Sequence, residues 1–107
     1  MMKIKIEEAL KEYMLKQGIK EIILYVHNGS GYGKMSFLSV KARFPKKNDV
    51  NLEAQGYEVI ECESGRIYYQ PDELIFEDHA QLLCNRFLGK VMIQTMGISV
   101  NHAAFAV

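Results

Sequence analysis

The sequence has no tryptophan, only two prolines and two cysteines, and no excess of charge of either sign. Two cysteines are too few for the disulfide framework of a small secreted domain, so we expect reduced thiols. Thirteen basic residues balance thirteen acidic ones, which leaves no overall field to attract a polyanion. We therefore expect no nucleic-acid partner and no membrane-surface role.

Long hydrophobic runs are also missing. No stretch approaches the roughly 18 consecutive apolar residues that a membrane span needs. The N-terminal MMKIKIEEALKEYMLK alternates apolar and charged residues and lacks the apolar core of a secretory signal. These two observations predict a cytoplasmic location. The chain has 107 residues, of which 49% are hydrophobic, and we expect a single domain over residues 1–107.

The sequence does contain one clear helical pattern, followed by strand patterns. Ile6, Leu10, Tyr13 and Met14 recur at helical spacing, and Gly18 is placed as a C-terminal cap. Alternating or β-branched stretches predict strands at 21–27, 35–44, 50–54, 57–62, 66–70, 73–77 and 90–95, with a short helix within 79–87 and a strand or extended tail over 97–107. The predicted fold class is α+β, with one N-terminal amphipathic helix packed on a mostly antiparallel β-sheet or flattened β-barrel.

The most unusual stretch is HNGSGYGKMS, residues 27–36, which holds three glycines in five residues. Gly33-Lys34 resembles part of a phosphate-binding loop, but Asn28 stands where the first glycine of that motif belongs, and the following residues alternate as in a strand. A dinucleotide-binding fingerprint also requires a helix at this point. Two interpretations remain open: a plain connection between two strands, and a loop that bears a ligand.

The order of the predicted elements resembles that of the HesB-like (A-type) iron-sulfur cluster biosynthesis domain. The segments that carry the resemblance are EEALKEYMLKQG, IILYVHNGSGYGKMSF, NDVNLEAQGYEVIE, DELIFED and NHAAFAV. The resemblance implies cluster ligands at one cysteine in the loop and at a Cys-Gly-Cys pair near the C-terminus. Here Gly29 or Ser30 takes the loop position, and the tail residues 99–102 offer no thiolate. The resemblance thus implies the scaffold without the family's cysteine ligands.

In that architecture the candidate ligand-binding residues gather at the loop and the tail, and they are His27, Gly29, Ser30, Gly31 and His102. A residual site formed by the two histidines is one interpretation, and ordinary hydrogen-bonded surface histidines are the other. No CxxC or HxxxH spacing is present to arrange metal ligands. We therefore expect no metal site and no cofactor, including iron or an iron-sulfur cluster.

The other chemistry-bearing residues predict packing and association. Cys62 and Cys84 are expected to pack as small hydrophobes, and no catalytic residue is assigned, because serine, histidine and aspartate lack a recognisable spacing. The aromatic residues of RIYYQ (66–70) and Phe76 are expected to pack a dimer. The predicted function is a non-catalytic binding or accessory module with a protein partner or a homodimer. The alternative is an unrelated α+β interaction domain that forms homo-oligomers.

Overall fold

The computed structural model describes residues 3–30 and 36–105. Within these ranges the chain forms one α-helix and a single seven-stranded sheet that curls into half of a barrel. The elements are β1 (Lys5–Ile6), α1 (Glu8–Gln17), β2 (Glu21–Ser30), β3 (Ser36–Arg43), β4 (Glu58–Cys62), β5 (Gly65–Tyr69), β6 (Leu74–Phe87) and β7 (Lys90–Val100). Two 3₁₀ turns, Glu53–Gln55 and His102–Phe105, complete the described structure.

The sheet is mixed, and its strand order is β1-β6-β7-β3-β2-β5-β4. β1 runs parallel to β6 and β2 runs parallel to β5, whereas the other neighbours are antiparallel. The predicted α+β class is therefore wrong, because the protein is mostly β and its helix connects two strands. The prediction missed β1 because Ile4 and Ile6 alternate with two lysines over too few residues to be distinguished from the start of the helix.

Helix α1 covers the concave side of the sheet. Leu10 and Met14 are buried on its inner face, as the helical spacing predicted. Gly18 adopts the left-handed conformation (φ 68°), and the N–H of Ile19 donates to the carbonyl of Met14 at 2.9 Å, which confirms the predicted cap. The helix packs on a core drawn from most strands, with Ile4, Ile6, Ile22, Leu24, Ile60, Ile67, Tyr69, Leu74, Ala80 and Leu82.

Strand β6 corrects two sequence predictions at once. Residues 73–77 and 79–87 were predicted as a strand and a helical segment, but Leu74–Phe87 is one strand of 14 residues. Ala80, Leu82 and Cys84 alternate toward the core, whereas Leu83 and Phe87 lie on the opposite face. Together these positions also fit a helical period, and only pairing with β7 selects the strand. Residues 50–54, also predicted as a strand, lie in the loop between β3 and β4.

The β6–β7 hairpin contains a large bulge opposite Gly97. Phe76 pairs with Ile98 and Gln81 pairs with Met96, so four residues of β6 oppose the single residue Gly97 of β7. Gly97 has a φ of 73°, and a Cβ atom there would lie 3.0 Å from the Cα of Ala80. The bulge shifts the side-chain alternation by one, since Ile93 and Ile98 are five residues apart yet both pack against the core.

We predict that Gly97→Ala destabilises the protein by about 1–3 kcal/mol, because the methyl group combines an unfavourable backbone angle with a contact against the backbone of Ala80. Chemical denaturation would measure the change. Gly89→Ala is the matched control, since Gly89 also has a positive φ but a Cβ there meets nothing within 4 Å. Equal losses for the two variants would show that the close approach to Ala80 contributes nothing.

The tip of the same hairpin holds a strained leucine. Leu88 (φ 51°) and Gly89 (φ 79°) connect the paired residues Phe87 and Lys90, which is the geometry of a type I′ turn. Asparagine and glycine suit the first central position of this turn, whereas a bulky side chain is strained there. Leu88 is nonetheless a leucine and is 87% exposed, so core packing does not explain it.

We predict that Leu88→Asn raises the free energy of unfolding by about 1 kcal/mol, because asparagine tolerates the left-handed conformation. The midpoint of urea denaturation would report the gain. Leu88→Ala keeps the unfavourable backbone angle and should show little gain. A stabilised alanine variant would instead mean that exposure of the leucine side chain is the source of the cost.

Candidate functional site

The residues predicted around the glycine-rich loop lie at the end of β2. β2 and β3 pair antiparallel up to Ser30 and Ser36, so the segment connects two strands and no helix opens after it within the described residues. His27 is exposed on the convex face, and Gly29 pairs with Phe37. Gly31, also predicted, lies outside the described residues. The sequence argument against a phosphate-binding loop is thus confirmed by the strand that begins at Ser36.

His102 lies in the 3₁₀ turn that follows β7 and is exposed. The antiparallel arrangement puts the end of β2 and the end of β7 at the same end of the sheet, with β3 between them. Across residues 3–30 and 36–105, no group of three or more His, Cys, Asp or Glu side chains is placed to hold a metal ion. The site formed by His27 and His102, one of the two interpretations of these histidines, stays a hypothesis.

The two cysteines are free, half-buried and packed against the core, as predicted. The thiol of Cys62 donates to the carbonyl of Gly65 at 3.3 Å across the β4–β5 turn, and burial raises the pKa of that thiol. Cys84 lies opposite Ile93 in the β6–β7 hairpin. A buried thiol with a raised pKa is a poor nucleophile, so the environment of Cys62 is structural.

The aromatic cluster predicted as a dimer contact belongs to the interior instead. Tyr68 and Tyr69 are buried, and Tyr69 packs edge-on against Phe76 with ring centroids 5.1 Å apart. Their hydroxyls donate to carboxylates, from Tyr68 to Glu21 at 2.8 Å and from Tyr69 to Glu58 at 3.2 Å. The aromatic content of RIYYQ therefore reflects a strand that contributes to packing on both faces of the sheet, and a partner cannot reach these rings.

A different apolar surface is exposed on the β6–β7 hairpin. Leu82, Cys84 and Ile93 face the core, and the side chains that alternate with them along the two strands face solvent. On that solvent face Phe87 is 64% exposed, Met92 53% and Met96 44%, and Leu83 is half-buried beside them. We call Leu83, Phe87, Met92 and Met96 the hairpin stripe. The sequence signal for the hairpin stripe was the alternation of apolar and polar residues along β7. The strand predicted from the sequence covered only residues 90–95 and therefore ended before Met96.

Charges are sorted along the hairpin. All thirteen acidic residues lie between positions 7 and 78, so residues 79–107 contain none. At the tip the exposed Lys90 pairs with Phe87 and shares its face, and the exposed Arg86 lies next to it in the row of Val91, on the alternate face. Glu77 and Asp78 lie in the bulge at the other end, where Glu77 contacts His79 at 2.8 Å. The hairpin stripe therefore has a basic end and an acidic end, which the net charge of zero conceals.

A separate ion pair fixes the β3–β4 loop over another part of the convex face. Arg43 donates to both carboxylate oxygens of Asp49, at 2.6 and 2.8 Å, and the N–H of Lys46 donates to the same carboxylate at 2.7 Å. The guanidinium also lies 5.9 Å from the ring centre of Tyr25. The loop so held lies beside Tyr68, and the hairpin stripe lies outside the part of this face that the loop covers.

The Arg43–Asp49 pair makes the free energy of unfolding depend on pH. The hydrogen bond from Arg43 holds the pKa of Asp49 well below its usual range, so the folded state favours the ionised carboxylate. We predict that its stabilisation is present above the ordinary carboxyl pKa of about 3.9 and is lost as the pH falls below it. Asp49→Asn should lower stability at neutral pH and flatten the acid limb of a denaturation series.

Glu61→Gln is the control for this prediction, because Glu61 pairs with Arg66 at 3.4 Å but both side chains are largely exposed. It should leave the acid limb unchanged. If both variants behave alike, the acid sensitivity arises elsewhere in the chain.

A cleft of about 560 Å³ borders the hairpin stripe where β3 and β7 meet. The two strands share a single registered pair, Ala42 with Ile93, so they diverge on either side of it. Lys41, Met92 and Gln94 contribute to the walls. The cleft and the stripe together give this part of the convex face an apolar centre with polar and basic surroundings.

The fold is a small, mostly β half-barrel with an exposed apolar surface on one hairpin. A family model described as the CC/Se motif containing family matches residues 2–98, and the chain belongs to that family. No curated protein and no solved structure matches the chain. The family match corrects the HesB-like resemblance, which rested on short, glycine-dominated segments that are compatible with many strand connections.

The family description names a CC/Se motif, yet the two cysteines of this chain are at positions 62 and 84 and are not adjacent. They lie on different strands, β4 and β6. Their half-buried positions against the core give them a packing role here. No helix within the described ranges is long and apolar enough to span a membrane.

Proposed function

We propose that this protein is a non-catalytic, cytoplasmic binding module of one domain that docks another protein through the hairpin stripe. The single observation that supports the proposal is the exposure of Phe87, Met92 and Met96 on one face of one hairpin. Solvent-exposed apolar side chains gathered in this way mark interaction surfaces, whereas scattered ones do not. Methionine and aromatic residues are also the types enriched at the centres of interfaces.

The surroundings of the stripe support a protein partner. Interfaces combine an apolar centre with a polar rim, and charged residues at the rim set orientation and association rate. Lys90 supplies such a rim at one end, with Arg86 on the alternate face of the same tip, and Glu77 and Asp78 supply it at the other end. A partner that carries the complementary order of charges would bind to the hairpin stripe in a single orientation.

The titratable groups support a non-catalytic role. The shifted pKa values of Cys62 and Asp49 have structural causes, namely burial of the thiol and the ion pair that holds the β3–β4 loop. The hydrogen bond to Glu21 raises the pKa of Tyr68, and burial together with the hydrogen bond to Glu58 raises the pKa of Tyr69. Each of these shifts is accounted for by burial or by a hydrogen bond that belongs to the packing of the fold.

We predict that Met92→Ser combined with Met96→Ser abolishes partner docking and changes the free energy of unfolding by less than about 0.5 kcal/mol per site, because both side chains are largely in water. Affinity capture with immobilised protein, compared by mass spectrometry, would test docking, and thermal unfolding would test stability. Leu15→Ser is the matched control, since Leu15 is an exposed apolar residue on α1, away from the stripe. The proposal fails if wild type and the double variant retain the same proteins.

A further inference from the structure

The two ends of the hairpin stripe carry opposite charge, and the apolar side chains between them are arranged almost symmetrically about Gln94. We propose that the partner of the stripe is a second copy of this chain, packed face to face and antiparallel about a two-fold axis that passes near Gln94. This pairing names the partner of the proposed docking surface and rests on that proposed function.

The apolar side chains support the two-fold arrangement. Met92 and Met96 lie two residues on either side of Gln94, so a two-fold axis there brings Met92 of one copy to Met96 of the other. On β6, Phe87 pairs with Lys90, which is four residues before Gln94 on β7. Ile75 pairs with Ser99, which is five residues after Gln94, so the two-fold axis brings Phe87 of one copy close to Ile75 of the other. Ile75 is itself 51% exposed and faces the same side. Each exposed apolar group thus meets another.

The charges follow the same spacing. At about 3.3 Å per residue, Lys90 lies about 13 Å from Gln94 along β7, and the bulge opposite Gly97 lies about 10 Å away in the other direction. The bulge carries Glu77 and Asp78, whereas the tip carries Arg86 and Lys90. An antiparallel pair therefore places the basic tip of each copy against the acidic bulge of the other, and this contact occurs twice.

The alternative orientation is disfavoured by the same charges. Two copies packed with parallel hairpins would put tip against tip and bulge against bulge, so like charges would face one another. A contact about a two-fold axis uses the same surface on both copies and closes on itself, which limits assembly to a dimer. The ring of His79 contacts Glu77 at 2.8 Å in the bulge, and Asp78 is the neighbouring carboxylate that this contact does not engage.

Charge reversal at each end gives a sharp test. The first variant is Arg86→Glu with Lys90→Glu, and the second is Glu77→Lys with Asp78→Lys; all four residues are exposed, so both variants should fold. Sedimentation velocity over a concentration series should show wild type as a monomer–dimer equilibrium. Each variant alone should dimerise at least about tenfold more weakly, because both contacts become repulsive.

An equal mixture of the two variants should restore dimerisation. In the mixed dimer the glutamates of one tip meet the lysines of one bulge, and the native acidic bulge meets the native basic tip, so both contacts are attractive again. High salt should weaken the wild-type dimer and the mixed dimer alike. Far-UV circular dichroism of each variant would verify that the sheet is intact.

Three results would overturn the inference. Wild type that stays monomeric up to submillimolar concentration would exclude the second copy as the partner. Dissociated variants that fail to associate on mixing would exclude the antiparallel arrangement. A dimer that survives Met92→Ser with Met96→Ser would place the contact on another surface. None of these results by itself removes docking of a different protein, which the capture experiment tests separately.

Discussion

The close approach of Gly97 to the backbone of Ala80 is the constraint on which the β6–β7 hairpin depends. Gly97 permits the bulge in which four residues of β6 lie opposite one residue of β7, and this bulge shifts the alternation of side chains along the hairpin by one residue. Without that shift, a strand that buries Ile93 would expose Ile98, and the hairpin could not line the core along its whole length. The same bulge carries Glu77 and Asp78, so one backbone irregularity shapes both the core and the charged end of the proposed interface.

The convex face of the sheet is divided into a covered part and an open part. The β3–β4 loop, held by Arg43 and Asp49, lies over the region of β2 and β5 where Ile23 and Tyr68 are buried. The hairpin on the other side of β3 has no such cover among the described residues, and its methionines meet solvent. The position of this loop therefore decides which apolar side chains belong to the interior and which are exposed to solvent.

Net charge is a poor guide to association in this chain. Equal numbers of acidic and basic residues exclude a bulk field, yet the acidic residues all precede position 79, and the final hairpin holds basic residues at its tip. Folding brings the last two acidic residues to one end of this hairpin and Arg86 and Lys90 to the other. A surface with such polarity favours an oriented partner over a uniformly charged polymer.

The sequence by itself determined helix α1 with its Gly18 cap and the two strands that flank the glycine-rich segment, because these depend on neighbouring residues. It did not determine the extent of β6, in which Leu83 and Phe87 satisfy a helical period as well as a strand. Nor did it determine whether Tyr68, Tyr69 or Met92 would be exposed. Those outcomes depend on strand order and on the bulge at Gly97, which are set by contacts between residues far apart in the chain. Tertiary structure therefore decided the fold class and which apolar side chains are exposed, because burial is a property of the assembled sheet and is fixed only when distant strands pair.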